Sequence, residues 1–152
     1  MEKLHFTQEI NATAAKVWHA MLDDKTYREW TLAFNPHGSW YEGDWTEGST
    51  IKFIGPNPAE PTKLGGMLSR VKENRKYEFI SIEHVGMIFD GVEDTTSDLV
   101  KKWVPAFENY TFEEKDGKTT VTVDVDVEES MVEEFSGMWP KALLNLKEIA
   151  EK

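Results

Sequence analysis

Four histidines are the side chains of this sequence that most readily exchange protons near neutral pH: His5, His19, His37 and His84. No two of them have the close spacing of a helical metal pair such as His-x-x-x-His, and the chain contains no cysteine. A thiolate nucleophile and a disulfide framework are therefore excluded, and we expect no metal site and no cofactor.

The sequence around His37 and around His84 predicts different roles for these two histidines. His37 lies within the aromatic segment Phe34–Tyr41, so it is the best candidate for an imidazole that contacts a ligand, with a surface loop position as the alternative. His84 falls near the predicted end of a strand, where histidines are often exposed. For His84 we expect a structural or solvent-facing role.

Glu108 is a carboxylate at an unusual position. Asp116-Gly117 is the two-residue turn that hairpins favour, and Val121–Val127 alternates valine with polar residues, as a strand with one buried face does. Counting back through the turn places Val125 opposite Glu108, and opposed residues point to the same side of a sheet. Glu108 is therefore predicted to point inward with the valines, unless a bulge returns it to solvent.

An inward carboxylate needs a partner, because burying its charge alone costs far more than folding can usually supply. Arg70 and Tyr110 are the candidate partners that we predict from the sequence. If paired inside the fold, Glu108 could serve as a polar anchor for a ligand or as a general acid or base. No nucleophile elbow, phosphate-binding loop or dinucleotide fingerprint accompanies it.

The elements that would position these groups fit one domain. A chain of 152 residues can bury roughly 70% of the surface that its unfolded form exposes. The net charge of −11, from 28 acidic and 17 basic residues, repels phosphate backbones and anionic lipids, so we expect no nucleic acid partner. We also expect a cytoplasmic protein, because the sequence has neither a signal peptide pattern nor a membrane span.

The first third of the chain predicts a strand followed by two helices. Residues Leu4–Ile10 alternate apolar and polar side chains, as a strand with one wet face does. A short amphipathic helix follows to Leu22, capped by Asn11 or Thr13. A second, shorter helix is predicted for Asp23–Trp30.

The middle of the chain predicts strands separated by turns. Short strands are expected at Trp40–Glu42 and Ser49–Ile54, and a hairpin from Leu64–Glu73 and Lys76–Val85. A three-residue connection in this hairpin would set Val71 opposite Tyr77 and Ser69 opposite Phe79. Leu68, Ile80 and Ile82 would then lie on the outer face, so either the register is wrong or a second subunit covers this face. Residues Gly86–Lys102 predict a mobile acidic loop.

The last segment predicts a long helix. Ser130 and Glu133 form a capping-box pattern at its start. Apolar residues then recur at steps of three and four and form one stripe: Phe135, Met138, Trp139, Leu143, Leu146, Ile149 and Ala150. The order of a strand, two helices, about six strands and a long helix predicts an α+β fold.

The chain resembles the START-like superfamily (also called SRPBCC or Bet v 1-like), and within it the activator of heat-shock protein ATPase homologue family. No single motif is specific, but their order and spacing match over nearly the whole chain. The matching segments are Asn11–Met21, Tyr27–Trp30, Gly43–Gly48 with Ile51–Phe53, Gly65–Val71 and Trp139–Lys147. The resemblance departs at Thr13, where the family usually has proline, and at Thr31, where it has a second tryptophan.

This resemblance implies a helix-grip fold for residues 1–152 as a single domain, with a curved antiparallel sheet of about six to seven strands wrapped around the C-terminal helix. It also implies a deep cavity between sheet and helix, with no shared catalytic set. Six tryptophans and eight phenylalanines must form the core or line that cavity. The predicted ligand-binding residues are Trp30, Phe34, His37, Trp40, Phe53, Phe79, Phe107, Glu108, Tyr110, Met138, Trp139 and Leu143, with no catalytic residue and no metal ligand.

Three functions remain open at this point. The first is non-catalytic binding of a small apolar or aromatic ligand. The second is an enzyme similar to polyketide cyclases or aromatases, with Glu108, His37 or Tyr110 as acid–base groups, which requires at least two polar groups in one pocket. The third is a module that binds a protein partner such as a chaperone. A monomer, or a homodimer through Leu68, Ile80 and Ile82, is compatible with each.

Overall fold

A computed structural model describes residues 1–152, in which one antiparallel sheet curves around a long helix. The strands are β1 (Glu2–Ile10), β2 (Trp40–Gly43), β3 (Thr50–Pro56), β4 (Leu64–Arg75), β5 (Phe79–Phe89), β6 (Val92–Asp94), β7 (Ala106–Lys115) and β8 (Lys118–Val127). The helices are α1 (Ala14–Leu22), α2 (Asp24–Trp30), α3 (Asp98–Lys101) and α4 (Val132–Ala150), with 3₁₀ turns at Thr31–Ala33 and Glu129–Met131.

The sheet confirms the predicted α+β helix-grip fold. Its strand order is β1-β8-β7-β5-β4-β3-β2, and β6 pairs with β5 beside this path. The sheet has 8 strands, one or two more than predicted, because the segment predicted as a mobile loop is structured. Within Gly86–Lys102, β5 continues to Phe89, β6 pairs back on it, and α3 follows with Ser97 as its N-cap.

The long helix α4 is held by an apolar stripe that faces the sheet. Trp139, Leu143 and Leu146 are buried, and this face closes the core over the curved sheet. Pro140 lies inside the helix and has no N–H to donate to the carbonyl of Ser136. The predicted capping box is wrong, since Ser130 lies in the preceding 3₁₀ turn and Met131 occupies the cap position.

The β4–β5 hairpin differs from the predicted register. Ser69 opposes His84 and Val71 opposes Ile82, and two register shifts interrupt the ladder, between Leu68 and Ser69 and between Val71 and Glu73. The connection has the predicted three residues, Lys76–Glu78 with Tyr77 at a positive φ of 69°, but it lies three residues later in the chain than predicted.

The corrected register places Ile80 and Ile82 inside the core, each with 0% exposure. The predicted homodimer face of Leu68, Ile80 and Ile82 is therefore wrong: two of its three residues are not on the surface. The β7–β8 register is confirmed, with Val125 opposite Glu108.

Adjacent glycines at the start of β4 provide a test of the β3–β4 contact. A Cβ at Gly66 would lie 1.8 Å from the carbonyl oxygen of Phe53, whereas a Cβ at Gly65 would approach nothing closer than 3.4 Å. We expect Gly66→Ala to lower the free energy of unfolding by roughly 3 kcal/mol, because the strands must separate, and Gly65→Ala to change it by less than about 1 kcal/mol. Urea unfolding measures both, and equal losses would contradict the close approach.

Candidate ligand-binding site

A cavity of about 560 Å³ lies between the sheet and α4. Its volume falls within the range of small-molecule sites, roughly 300–1,000 Å³. Of its 32 lining residues, 18 are hydrophobic. They come from α2, from the inner face of the sheet and from the first half of α4, and the exposed members Pro58 and Glu134 mark where it opens to solvent.

Aromatic rings form one wall of the cavity. Phe34 packs edge-on against Trp139 with ring centroids 4.8 Å apart, and Trp30 lies 6.0 Å from Trp139. The indole N–H of Trp30 donates a 2.9 Å hydrogen bond to the carbonyl oxygen of Met21. Because the indole N–H is bonded on the protein side, Trp30 presents an apolar surface to the cavity.

A buried chain of polar side chains adjoins the aromatic wall, since the Tyr110 ring lies 6.1 Å from that of Trp139. Ser69 Oγ lies 2.6 Å from His84 Nδ1, and His84 Nε2 lies 3.1 Å from Glu108 Oε1. The hydroxyl of Tyr110 donates a hydrogen bond to the other oxygen of Glu108. Neutral His84 can donate from Nε2 to the carboxylate while Nδ1 accepts a hydrogen bond from the serine hydroxyl. Protonated His84 can donate from both nitrogens.

Strand register brings this chain together. His84 pairs with Ala106 across the β5–β7 ladder, so Glu108 is its diagonal neighbour two residues along β7 on the same face. Tyr110 follows two residues after Glu108 and therefore shares that face. Behind the imidazole, the Trp103 ring stacks on His84 with a centroid distance of 5.2 Å and an angle of 16°. Only 3% of His84 is exposed, so its orientation is fixed from three sides.

Two tyrosines in the cavity are held as neutral phenols. Burial, together with the nearby Glu108 carboxylate, raises the pKa of Tyr110 well above the usual tyrosine value. Burial also raises the pKa of Tyr27, with smaller contributions from Glu108 and Tyr41. Both hydroxyls therefore keep their protons at neutral pH and remain able to donate.

Glu108 points inward as predicted, and its side chain is 18% exposed. Of its two predicted partners, Tyr110 is confirmed. The prediction that Arg70 is a partner is wrong, because Arg70 pairs with Glu83 on the outer face of the sheet at 2.7 Å. Of the two roles expected for His84, the solvent-facing one is also wrong, since the bulged β4–β5 ladder sets it opposite Ser69 and buries it.

Eight of the predicted ligand-binding residues line the cavity, and their contact with a ligand stays a prediction. These eight are Trp30, Phe34, Phe53, Phe107, Glu108, Tyr110, Met138 and Trp139.

The other four predicted residues lie elsewhere. His37 is exposed, in a turn where its N–H donates to the side chain of Asn35. Trp40 lies under the Arg28 guanidinium and Phe79 under that of Arg75, at 5.9 and 5.0 Å. Leu143 is buried in the core, one turn of α4 after Trp139. Local turns and the corrected hairpin register account for the first three of these errors.

Sequence reasoning missed three residues that shape the site. His84 could have been found only with the correct β4–β5 register, which the two bulges conceal. Trp103 follows α3, directly after the segment predicted as a loop, and Tyr27 was predicted only as part of a helix. A tyrosine three residues before Trp30 on the same helix was the available signal, since both share one face.

Two further searches of the structure concern metals and membranes. No group of three or more His, Cys, Asp or Glu side chains stands close enough to hold a metal ion. None of the helices combines the length and the apolar character that crossing a membrane requires.

A family model described as "Activator of Hsp90 ATPase homolog 1-like protein" (AHSA1) matches residues 11–151. The chain belongs to the AHSA1 family. The match spans every element from α1 to α4, so the resemblance predicted from the short motifs is confirmed over nearly the whole chain.

Solved structures with low sequence identity have the same fold as this AHSA1-family chain. The Aha1 dimer of Colwellia psychrerythraea has 17% identity and a TM-score of 0.69, covering 99% of this chain and 97% of that one. Protein Ms6760 of Mycobacterium smegmatis has 14% identity and a TM-score of 0.73, covering 97% and 89%.

DynU16, a protein in the dynemicin biosynthetic locus, has 15% identity and a TM-score of 0.68 over 100% of this chain, which spans 48% of that one. No curated protein sequence matches this AHSA1-family chain.

The Glu108 contacts predict a loss of stability on truncation. Glu108→Ala would leave the buried donors of His84 and Tyr110 without their acceptor, and we expect a loss of about 2–3 kcal/mol, reduced from the fully buried case because water can reach the cavity. Glu83→Ala on the neighbouring strand removes only the half-exposed pair with Arg70, and should cost less than about 1 kcal/mol. Urea unfolding at pH 7 compares them, and equal losses would refute the role of Glu108.

The raised tyrosine pKa values predict alkaline destabilisation. Above the unfolded tyrosine pKa of about 10, the unfolded chain loses phenolic protons that Tyr27 and Tyr110 retain in the fold. The free energy of unfolding should therefore be unaffected below this pH and fall as pH rises above it. Urea unfolding between pH 8 and pH 11 measures the decline, which should be shallower in Tyr110→Phe. An unchanged slope in that variant would contradict the assignment.

Proposed function

We propose that this AHSA1-family protein binds a small, mainly apolar or aromatic molecule in the cavity between the sheet and α4, without chemical change. The observation that carries this proposal is a cavity of about 560 Å³ in which an aromatic wall adjoins a polar cluster. A core built only for stability would fill this volume, because each unfilled space loses packing energy.

The two walls suggest how such a ligand would lie. Its flat or aliphatic part would pack on the rings of Trp30, Phe34 and Trp139. A hydrogen-bonding group would reach the adjoining cluster of Tyr27, Glu108 and Tyr110. A few placed polar groups in an apolar pocket commonly fix the orientation of a small ligand.

Binding is tested with proton–nitrogen correlation spectra recorded during titration with sterols, flavonoids, polyketide-like aromatics, long-chain alcohols and the neutral dye Nile red. We expect saturable shifts of the Trp30, Trp103 and Trp139 indole signals with at least one class. Shifts confined to surface residues, or none with any compound, would refute the proposal.

A bulky substitution on α4 should block the cavity. Met138→Trp places an indole among the lining residues, and we expect Nile red affinity to fall at least about tenfold because the ligand volume is occupied. Leu144→Trp adds the same side chain at an exposed position of the same helix and should leave affinity unchanged. Fluorescence titration of Nile red measures both. Equal affinities in the two variants would place the dye outside the cavity.

Acid–base catalysis is the second candidate, favoured by the convergence of His84, Glu108, Tyr110 and Tyr27 in one pocket. The hydroxyl of Tyr27 could donate to a ligand carbonyl while the His84–Glu108 pair accepts a proton from the adjacent carbon, as a cyclase requires. Incubation with poly-ketone substrates and mass spectrometry tests this function. Turnover that Tyr27→Phe abolishes without loss of binding would favour catalysis over simple binding.

A protein partner is the third candidate, supported by the family description alone. A cytoplasmic location, which we expect from the sequence, would give the protein access to a chaperone. A concentration-dependent change in the chaperone ATPase rate would support this function. An unchanged rate at saturating protein would exclude it.

A further inference from the structure

The lining of the cavity is one-sided in charge. It includes four carboxylates, Glu108, Asp126, Glu128 and Glu134, but no lysine or arginine. Across the chain, 17 of 152 residues are basic, so a lining of 32 residues without one departs from the average composition. The single ionisable group there that can carry positive charge is the imidazole of His84.

Two of these carboxylates already have bonding partners in the protein. Glu108 bonds to His84 and Tyr110, and Asp126 lies 3.1 Å from the ammonium of Lys3 outside the cavity. Glu128 and Glu134 have no ion-pair partner and make no side-chain hydrogen bond. They lie on either side of the 3₁₀ turn that leads into α4, at the exposed edge of the cavity.

Helix electrostatics account for only part of this arrangement. Glu134 is in the first turn of α4, where a carboxylate is stabilised by the partial positive charge of the helix start. Glu128 precedes the 3₁₀ turn and has no such explanation. Helix electrostatics also do not account for the absence of lysine and arginine from the lining.

Tyr27 is an independent indication that a ligand group is received here. The residue is 8% exposed, lines the cavity and donates its hydroxyl to no other residue. Asn109 Oδ1 is the one fully enclosed side-chain atom without a partner, so the Tyr27 oxygen must be reached from the cavity. The nearby Glu108 carboxylate contributes to the raised pKa of Tyr27, and a negative charge beside this hydroxyl favours a ligand N–H or O–H donor over a further acceptor.

We propose that the ligand of this cavity is an organic cation, an amine carried on an apolar or aromatic body, and that carboxylate ligands such as free fatty acids are rejected. The inference rests on the proposed binding function and specifies its ligand class. The ammonium group would lie near Glu128 and Glu134, with its body on the aromatic wall.

The sign of the ligand charge decides whether these carboxylates attract or repel it. An anionic ligand would bring its charge next to two unpaired carboxylates at the cavity edge and be repelled, whereas a cation is attracted by the same groups. Near that edge the Phe34 ring lies 6.2 Å from the ring of Phe135 and 4.8 Å from that of Trp139. The faces of such rings attract cations and add to the preference.

A matched series of ligands tests the proposal. The three probes share one naphthalene body: 2-(2-naphthyl)ethylamine, 2-(2-naphthyl)ethanol and the carboxylate of 2-naphthaleneacetic acid. Titrations at pH 7 follow the Trp indole signals, with Nile red as a charge-independent reference. We expect the amine to bind about tenfold more tightly than the carboxylate, with the alcohol between them, and raising the salt concentration to weaken the amine alone.

A pair of double variants separates the cavity edge from the charge of the whole chain. Glu128→Gln with Glu134→Gln removes the two unpaired carboxylates, and we expect amine affinity to fall about fivefold while alcohol affinity is unchanged. Glu129→Gln with Glu133→Gln changes the net charge equally at exposed neighbours that do not line the cavity. This control should alter amine affinity by less than about twofold.

The outcomes distinguish this inference from the binding function. Equal affinities of the amine and the carboxylate, or tighter carboxylate binding, overturn the inference and leave the binding function intact. The same holds if Nile red binds and the amine does not, or if the control variant weakens amine binding as much as the edge variant. Failure of every probe, including Nile red, overturns the binding function and the inference with it.

Discussion

Glu108 bonds through one carboxylate oxygen to His84 on the neighbouring strand and through the other to Tyr110 on its own strand. A one-residue slip of β5 against β7 would turn His84 to the outer face and leave the carboxylate without its partner. The stacked Trp103 and the hydroxyl of Ser69 depend on the same register, since both contact that imidazole. One inward carboxylate thus requires three strands and the α3 segment to keep their relative positions.

Much of the fold could be predicted because its signals are periodic. The valines of β8 alternate at period two and the stripe of α4 recurs at three and four, so single errors do not hide either element. Asp116-Gly117 fixed the β7–β8 register by local chemistry alone, and the inward direction of Glu108 followed from it. These inferences needed no knowledge of distant contacts.

The rest of the site could not be predicted, because it depends on irregularities without a sequence signature. Two bulges shift the register that sets His84 opposite Ser69, with Lys72 of β4 and Val85 of β5 as the extra residues, and no glycine or proline flanks Lys72. Trp103 reaches the imidazole because β6 pairs back on β5 across Asp90-Gly91, a local hairpin within the acidic segment that was predicted as a loop. His37, by contrast, has the aromatic sequence neighbours expected of a ligand contact, but it lies in a turn that faces solvent.

Pro140 divides α4 into a first half that lines the cavity and a second half that packs in the core. The helical residues that line the cavity, Glu134, Phe135, Met138 and Trp139, all precede it, and the core residues Ala142, Leu143 and Leu146 all follow. Because proline interrupts the hydrogen-bond ladder at this boundary, the first half is joined to the second with one bond fewer. The free energy that opposes local opening over the cavity is therefore set by that half's own contacts, above all those of Trp139 with Trp30 and Phe34, while the second half stays folded.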